Sequence, residues 1–138
     1  MKTFLFLAAC CLVHTAVAQN SIQVKVTGIR EASGNILIAL FNNEGDFLKK
    51  AVQSRSIKAS DTTVIYVFDN LAAGDYAISI IHDENSNGEL DKNYLGIPRE
   101  GFAFGNNSMG TFGPPSFEKA RVTVGVKKVV QEVSVKYM

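Results

Sequence analysis

The chain of 138 residues has no tryptophan, two histidines and only two cysteines, which are adjacent at positions 10 and 11. Both cysteines lie in an N-terminal segment that has the features of a cleaved signal. Without that segment the chain has no thiol, which excludes disulfide bonds, cysteine nucleophiles and cysteine-based zinc sites. His82 is then the single remaining histidine, so multi-histidine metal sites are excluded as well.

The chain also has no large excess of positive or negative charge. The chain has 14 Lys and Arg against 13 Asp and Glu, and removal of Lys2 with the signal would balance them. The adjacent basic pairs, Lys49–Lys50 and Lys127–Lys128, are typical of solvated surface. Nucleic-acid binding needs a basic patch that neutralises phosphates, so we expect no nucleic-acid partner. We also expect no membrane association after signal cleavage, and a monomer.

The N-terminus has the pattern of a secretory signal peptide. Lys2 precedes a nearly unbroken apolar run from Phe4 to Val13, and Ala16-Val17-Ala18 has the small-x-small form of a cleavage site. The run is too short for a stable transmembrane anchor. We predict a signal peptide at residues 1–18 and one exported domain at residues 19–138, in the periplasm or outside the cell.

A second interpretation of this segment is a bacterial lipobox. Leu7-Ala8-Ala9-Cys10 resembles one, and Cys10 would then become a lipidated N-terminus. The apolar stretch before Cys10 is short and apolar residues continue past it. Cleavage after Ala18 is therefore favoured.

The rest of the chain has the pattern of short strands. Ile22, Val24 and Val26 alternate with polar residues, as in a half-buried strand. Residues 35–41 are apolar on both faces, which favours a central strand, whereas residues 51–59 suit an edge. We predict seven strands, at about residues 22–27, 35–41, 51–59, 62–68, 75–81, 120–126 and 129–137, with the last two forming a pair. With no amphipathic helix, this predicts an all-β fold, a seven-stranded antiparallel β-sandwich with one long ordered loop.

Tyr76 gives a local cue for the same fold. It enters a strand directly after the tight connection Leu71 to Asp75. A tyrosine there can donate to the preceding backbone, as in the tyrosine corner of immunoglobulin-like sandwiches. The other interpretation is a half-buried core tyrosine, and both are compatible with a sandwich.

The run His82 to Asp91, HDENSNGELD, has the spacing of a calcium loop. Ca²⁺ takes six to eight oxygen ligands, which a loop provides when alternate residues point inward around a glycine turn. The proposed metal-ligating residues are Asp83, Asn85, Asn87, Glu89 and Asp91. The twelfth position, where a bidentate Glu is expected, is Tyr94, so a bound Ca²⁺ would need a further ligand, such as Glu100. The same residue types also serve polar loops as Asx-turns.

The connection from residue 82 to 117 is unusually long. Connections of this length are usually functional or disordered, and its many apolar residues, interspersed with glycines, favour an ordered loop packed over one end or edge of the sandwich. Its side chains offer a candidate ligand-binding platform that consists of Tyr94, Phe102, Phe104, Asn106 and Phe112. The alternative is that these aromatic residues form the loop's own core.

The order of motifs resembles a known family. FDNLAAGDYAISI is followed by HDENSNGELD, LGIPREG, FGNN and FGPPSF. Over about residues 24–135 this is similar to a family of small exported bacterial domains of unknown function. The resemblance implies a prealbumin-like or immunoglobulin-like β-sandwich and no established activity. Residues 83–101 also resemble, more loosely, the calcium loops of repeat domains in bacterial surface adhesins.

Catalysis finds little support in the residue inventory. A catalytic triad would have to combine His82 with Ser86 or Ser108 and with Asp83, and no nucleophile-elbow pattern is present. We therefore expect a protein that is not an enzyme. The first function hypothesis is an exported interaction module with a structural Ca²⁺, whose partner is an unknown envelope protein or glycan. The alternative is a carbohydrate- or small-ligand-binding domain that uses residues 94–117.

Overall fold

The computed structural model describes residues 20–138, and the predicted signal peptide lies outside the described residues. Two sheets contain eight strands. In chain order they are β1 (Ile22–Thr27), β2 (Asn35–Phe41), β3 (Gln53–Lys58), β4 (Val64–Phe68), β5 (Gly74–Asp83), β6 (Gly101–Phe104), β7 (Arg121–Val124) and β8 (Val129–Ser134). A 3₁₀ turn at Gly105–Asn107 and a one-turn helix, α1 (Phe117–Ala120), precede β7.

The smaller sheet has the order β4-β1-β8 and the larger sheet the order β3-β2-β5-β6. β7 pairs with the first half of β5, on residues 74–77, and β6 pairs with its second half, on residues 79–82. This is the predicted all-β sandwich. The central place of β2 and the edge place of β3 are both confirmed.

Two details of the predicted topology are wrong. The connection from 82 to 117 contains an additional strand, β6, because Ala103 packs in the main core while Phe102 and Phe104 bury the opposite face. The last two strands do not pair with each other: β7 joins the larger sheet, and β8 lies parallel to β1 in the smaller one. Val124 and Val133 thereby face one core from opposite sheets, which a hairpin would not allow.

The main core lies between the two sheets. Ile22, Val24 and Val26 of β1 are fully buried against the inward side chains of β2 and β5, such as Leu40 and Ile78. Burial of these β-branched and leucine side chains is the main favourable contribution to folding. No helix in residues 20–138 is long and apolar enough to cross a bilayer.

The tyrosine corner is confirmed. Tyr76 is buried, and its hydroxyl donates to the carbonyl oxygen of Ala72 at 2.8 Å, four residues upstream. The bond satisfies the buried hydroxyl group and fixes the entry of the chain into β5.

A second apolar cluster covers part of the outer face of the larger sheet. Phe102 and Phe104 of β6 are buried there together with Ala77 and Ala120, and Phe47 packs edge-on against Phe41 and Phe117. The members of the cluster are Ala77, Phe102, Phe104 and Ala120, with Phe47, Leu90 and Phe117 partly buried against them. The sandwich therefore has an apolar layer outside the larger sheet as well as between the sheets.

Candidate functional site

The loop after β5 is organised around the carboxylate of Asp83. This side chain is only 1% exposed. One of its oxygens accepts the backbone N–H of Asn87 at 3.0 Å, and the other accepts that of Gly88 at 2.8 Å. Left-handed backbone at Ser86 and Gly88 curls the chain back so that these N–H groups reach the carboxylate.

A second carboxylate, that of Asp91, closes the same loop. Its two oxygens accept the side-chain amide groups of Asn85, at 2.6 Å, and Asn87, at 2.9 Å. The amide oxygen of Asn85 in turn accepts the backbone N–H of Asn87, and that of Asn87 accepts the N–H of Glu89. The alternating residues thus converge on each other, through Asx-turns and amide-to-carboxylate hydrogen bonds.

Glu100 braces this loop from the start of β6. It is 4% exposed, and its two oxygens accept the backbone N–H groups of Glu84 and Asp91 at 2.9 and 3.0 Å. The sequence singled out Glu100 as a ligand that a Ca²⁺ ion could recruit, and the chain does bring it to the loop.

The side-chain oxygens of the loop and of Glu100 are not arranged as a preformed metal-binding site. Within the described part of the chain, no three histidine, cysteine or acidic residues are grouped so that they could hold one metal ion. Asn85 and Asn87 turn their nitrogen atoms toward Asp91, so a cation next to Asp91 would require both amides to rotate and to lose their Asx-turns. Calcium binding by this loop stays a prediction.

His82 lies under the loop in the interior and is fully buried. Its Nε2 must donate to the carbonyl oxygen of Ser33, at 2.8 Å, because a carbonyl can only accept. In the tautomer with its proton on Nε2, the ring accepts at Nδ1 the hydroxyl proton of Tyr137, at 2.7 Å. The Tyr137 oxygen accepts the backbone N–H of Arg30 at 3.1 Å, and the Arg30 guanidinium is paired with Glu84. Both ring nitrogens of His82 thus serve hydrogen bonds that hold the fold.

A groove with a volume of about 1090 Å³ lies on the outer face of the larger sheet. Its floor consists of two rows of outward side chains that run across β3, β2, β5 and β6. The first row is Ser56, Leu37, Ile81 and Phe102, and the second is Ser54, Ala39, Ser79 and Phe104. Four strands make this floor about 14 Å wide.

Three connections form the rim of the groove. Leu48 comes from the β2–β3 connection, Leu95 and Ile97 from a short hairpin after β5, and Met109 and Phe112 from the segment before α1. All five are exposed, and Phe112 is completely so. Apolar side chains therefore surround the opening of the groove as well as its floor.

The structure brings three of the five proposed platform residues to this groove. Phe102, Phe104 and Phe112 line it, but Tyr94 and Asn106 do not. Tyr94 is 93% exposed at the tip of the short hairpin. Asn106 instead donates its side-chain amide to the carbonyl oxygens of Lys119 and Arg121, at 3.1 and 2.8 Å.

Asn107 next to it has a role that the sequence did not reveal. Its amide group donates to the carbonyl oxygen of Glu132 at 3.1 Å and accepts the N–H of Ser134 at 2.8 Å. The side chain thereby mimics a neighbouring strand along the edge of β8 and ties the two sheets together. The two consecutive asparagines, both in left-handed backbone, were the only signal, because Asn is the non-glycine residue most suited to that conformation.

Sequence reasoning also missed the groove floor. Leu37 and Ile81 point away from the main core. The apolar character of residues 35–41 on both faces indicated only a central position in the sheet, and residues 75–81 gave no sign of a second apolar face. A signal was present, since residues 35–41 are apolar on the face that an antiparallel sandwich usually gives to solvent.

No curated protein sequence and no solved structure matches this chain. A family model does match it, over residues 24–132, which include all of the loop and groove elements described above. The chain belongs to the family described as uncharacterized protein conserved in bacteria (DUF2141).

Proposed function

We propose that this protein is a non-catalytic domain that binds a small, mainly apolar ligand in the groove on the outer face of the larger sheet. The observation that carries the proposal is the groove itself, an open concavity of about 1090 Å³ with a mainly apolar floor and an apolar rim. Ligand sites are typically concave and predominantly apolar, with volumes of about 300–1,000 Å³.

The exposed apolar side chains of the rim support this proposal, because their contact with water is unfavourable. Leu95, Met109 and Phe112 keep large apolar surfaces in water around a single opening. Scattered exposed apolar residues need no explanation, but a contiguous set around a cavity marks an interaction site. A ligand that enters the groove would remove part of this surface from water at about 25 cal/mol per Å².

The chemistry of the walls favours an apolar ligand over a sugar. A glycan is bound through exposed aromatic faces and many polar partners, whereas Phe102 and Phe104 are buried in the outer cluster. The serine side chains of the floor, Ser54, Ser56 and Ser79, supply a few polar groups for orientation. A carbohydrate ligand is therefore the second outcome of the test below.

Absence of catalysis is part of the proposal. The hydrogen bonds at both nitrogens of His82 and its complete burial support a structural role for this residue. A general base needs access to the substrate proton, and His82 has none in this conformation.

The test uses a single tryptophan as reporter, because the natural chain has none. Phe112→Trp places it on the rim of the groove, and Tyr94→Trp, equally exposed but outside the groove, is the matched control. We expect apolar ligands to shift the emission of the Phe112→Trp protein to shorter wavelength and to leave the control unchanged. If neither apolar compounds nor oligosaccharides change the Phe112→Trp emission, the proposal is wrong; a response to oligosaccharides alone would replace the apolar ligand with a glycan.

We propose separately that the loop of residues 83–91 binds Ca²⁺ weakly. Asp83, Asp91 and Glu100 form no ion pair among residues 20–138, so three nearby carboxylates have no compensating cation. The N–H donors that already serve their oxygens would limit the affinity. Export by the predicted signal peptide is a further proposal, which N-terminal sequencing of the mature protein would test.

A further inference from the structure

The charged side chains at the groove differ in whether a ligand can reach them. Among the described residues, two charged side chains lie on its face, those of Asp83 and Lys92. Arg55 also borders the groove, but it alternates with the floor serines of β3 and turns its guanidinium to the inner face, over the ring of Tyr66. The carboxylate of Asp83 is buried and is held by two backbone N–H groups, so an incoming ligand cannot reach it. Lys92 is exposed and forms no ion pair within residues 20–138. The charge that a ligand meets in this groove is therefore positive.

The two central strands of the groove floor, β2 and β5, have no free backbone group to offer a ligand. β2 lies between β3 and β5, and β5 lies between β2 and β6, so the peptide groups of these strands are used in the sheet. A peptide that lay over these two strands would lose its own hydration without gaining backbone partners from them, at a cost of about 1–3 kcal/mol per group on mutational scales. A hydrocarbon chain loses nothing of this kind and gains from the burial of each methylene group.

From these two observations we infer that the ligand of the groove is a free single-chain anionic amphiphile, with its hydrocarbon chain on the floor formed by Leu37, Ala39 and Ile81 and its carboxylate near Lys92. This rests on the proposed function and specifies the class of ligand.

The first measurement separates chain from head group. The Phe112→Trp protein is titrated, below the concentrations at which micelles form, with octanoate, decanoate and dodecanoate, and with dodecanol and dodecyltrimethylammonium. We expect the affinity to rise about threefold to fourfold for each added methylene. We also expect dodecanoate to bind more tightly than dodecanol, and the cationic amphiphile to bind most weakly.

The second measurement assigns the head-group contact. Lys92→Gln should weaken dodecanoate about twofold to fivefold, as expected for an exposed ion pair, and should leave dodecanol unchanged. Lys127→Gln removes the same charge from an exposed turn outside the groove and should change neither. Both substitutions are made on the Phe112→Trp protein, and thermal melts establish that both variants are folded.

The outcomes distinguish this inference from the function on which it rests. Equal binding of dodecanoate and dodecanol, with no effect of Lys92→Gln, overturns the anionic head group and leaves an apolar ligand site. Binding to vesicles with anionic lipids but not to the free amphiphiles overturns the inference in favour of membrane docking. No response to any apolar compound overturns both the inference and the proposed function.

Discussion

At the scale of single residues, one chain of hydrogen bonds connects three distant parts of the sequence. The backbone N–H of Arg30 donates to the hydroxyl oxygen of Tyr137, the hydroxyl donates to His82, and His82 donates to Ser33. Each direction follows from the acceptor-only carbonyl at its end. The guanidinium of Arg30 also lies 4.4 Å from the centre of the Tyr137 ring, so the tyrosine contributes both hydrogen bonds and packing.

Tyr137→Phe should therefore lower the free energy of unfolding by about 1–3 kcal/mol, because it leaves a buried histidine nitrogen without its donor. Tyr94→Phe removes the same hydroxyl group from an exposed side chain and should change stability by less than about 0.5 kcal/mol. Urea unfolding of the two variants and the wild type measures this difference. Equal stability of both variants would contradict the role of the network.

Ionisation of the same tyrosine should lower the free energy of unfolding at alkaline pH. Burial raises the pKa of the Tyr137 phenol above its ordinary value, so the fold favours the protonated form. This contribution is complete below the unfolded-state pKa of about 10 and is lost as pH rises through the higher folded-state pKa. Above pH 10 the free energy of unfolding should fall more steeply for the wild type than for Tyr137→Phe. Parallel curves would contradict this prediction.

At the scale of elements, the side chain of Asn107 forms hydrogen bonds with the free edge of strand β8. Its side chain occupies the backbone groups of Glu132 and Ser134 on the outer edge of β8, and an exposed strand edge is otherwise a site for unwanted pairing.

Asn107→Ala should lower the free energy of unfolding by about 1–3 kcal/mol and should increase amide hydrogen exchange along β8. Asn70→Ala is the matched control, since Asn70 also has a left-handed backbone but no side-chain partner of this kind among the described residues. The difference between the two variants isolates the hydrogen bonds from the conformational cost. If exchange in β8 is the same in both, the edge is held by other contacts.

The loop of residues 83–91 yields the calcium prediction. Ca²⁺ should raise the melting temperature of the wild type by a few degrees, since a ligand at ten times its Kd adds about 1.4 kcal/mol. Asp91→Asn should abolish the rise, and Asp69→Asn, which removes an exposed carboxylate outside the loop, should preserve it. Mg²⁺ should have a smaller effect because it prefers six ligands in strict octahedral geometry. Identical wild-type melts in calcium and in chelator would exclude the site.

The sequence of the 83–91 loop predicted that its alternating side chains turn toward each other, but not which atoms they contact there. Asp83, Asn85, Asn87 and Asp91 do turn toward each other, as alternating residues around a glycine should. The bonds they make use N–H donors that every such loop contains, and a sequence pattern does not distinguish an oxygen facing a cation from one facing an N–H. Similarly, the four residues of β6 are too few to show a strand period.

At the scale of the whole molecule, one core holds two sheets together. Val24 and Ile78 face each other from different sheets and are fully buried, so the stability of either sheet depends on the other. Unfolding should be cooperative, as for most single domains of this size.

Ile78→Ala should lower the free energy of unfolding by about 2–5 kcal/mol, through lost burial and the cavity left behind. Ile65→Ala makes the same truncation on the outer face of β4, where the side chain is more than half exposed, and should cost less than about 1 kcal/mol. Denaturant titration gives both values. A cost at Ile65 equal to that at Ile78 would show that the outer face of β4 is covered in solution.

The sequence by itself determined seven of the eight strands and the inward face of β1, because side chains alternate with period two along a strand whatever its partners are. It also determined the membership of an uncharacterised bacterial family. Only the tertiary structure decided which strands pair, that β8 runs parallel to β1, and that Leu37 and Ile81 form the floor of a groove. Pairing and concavity depend on contacts between residues far apart in the chain. The local pattern that specifies a strand contains no information about which strand will pair with it or which segment will pack on its outer face.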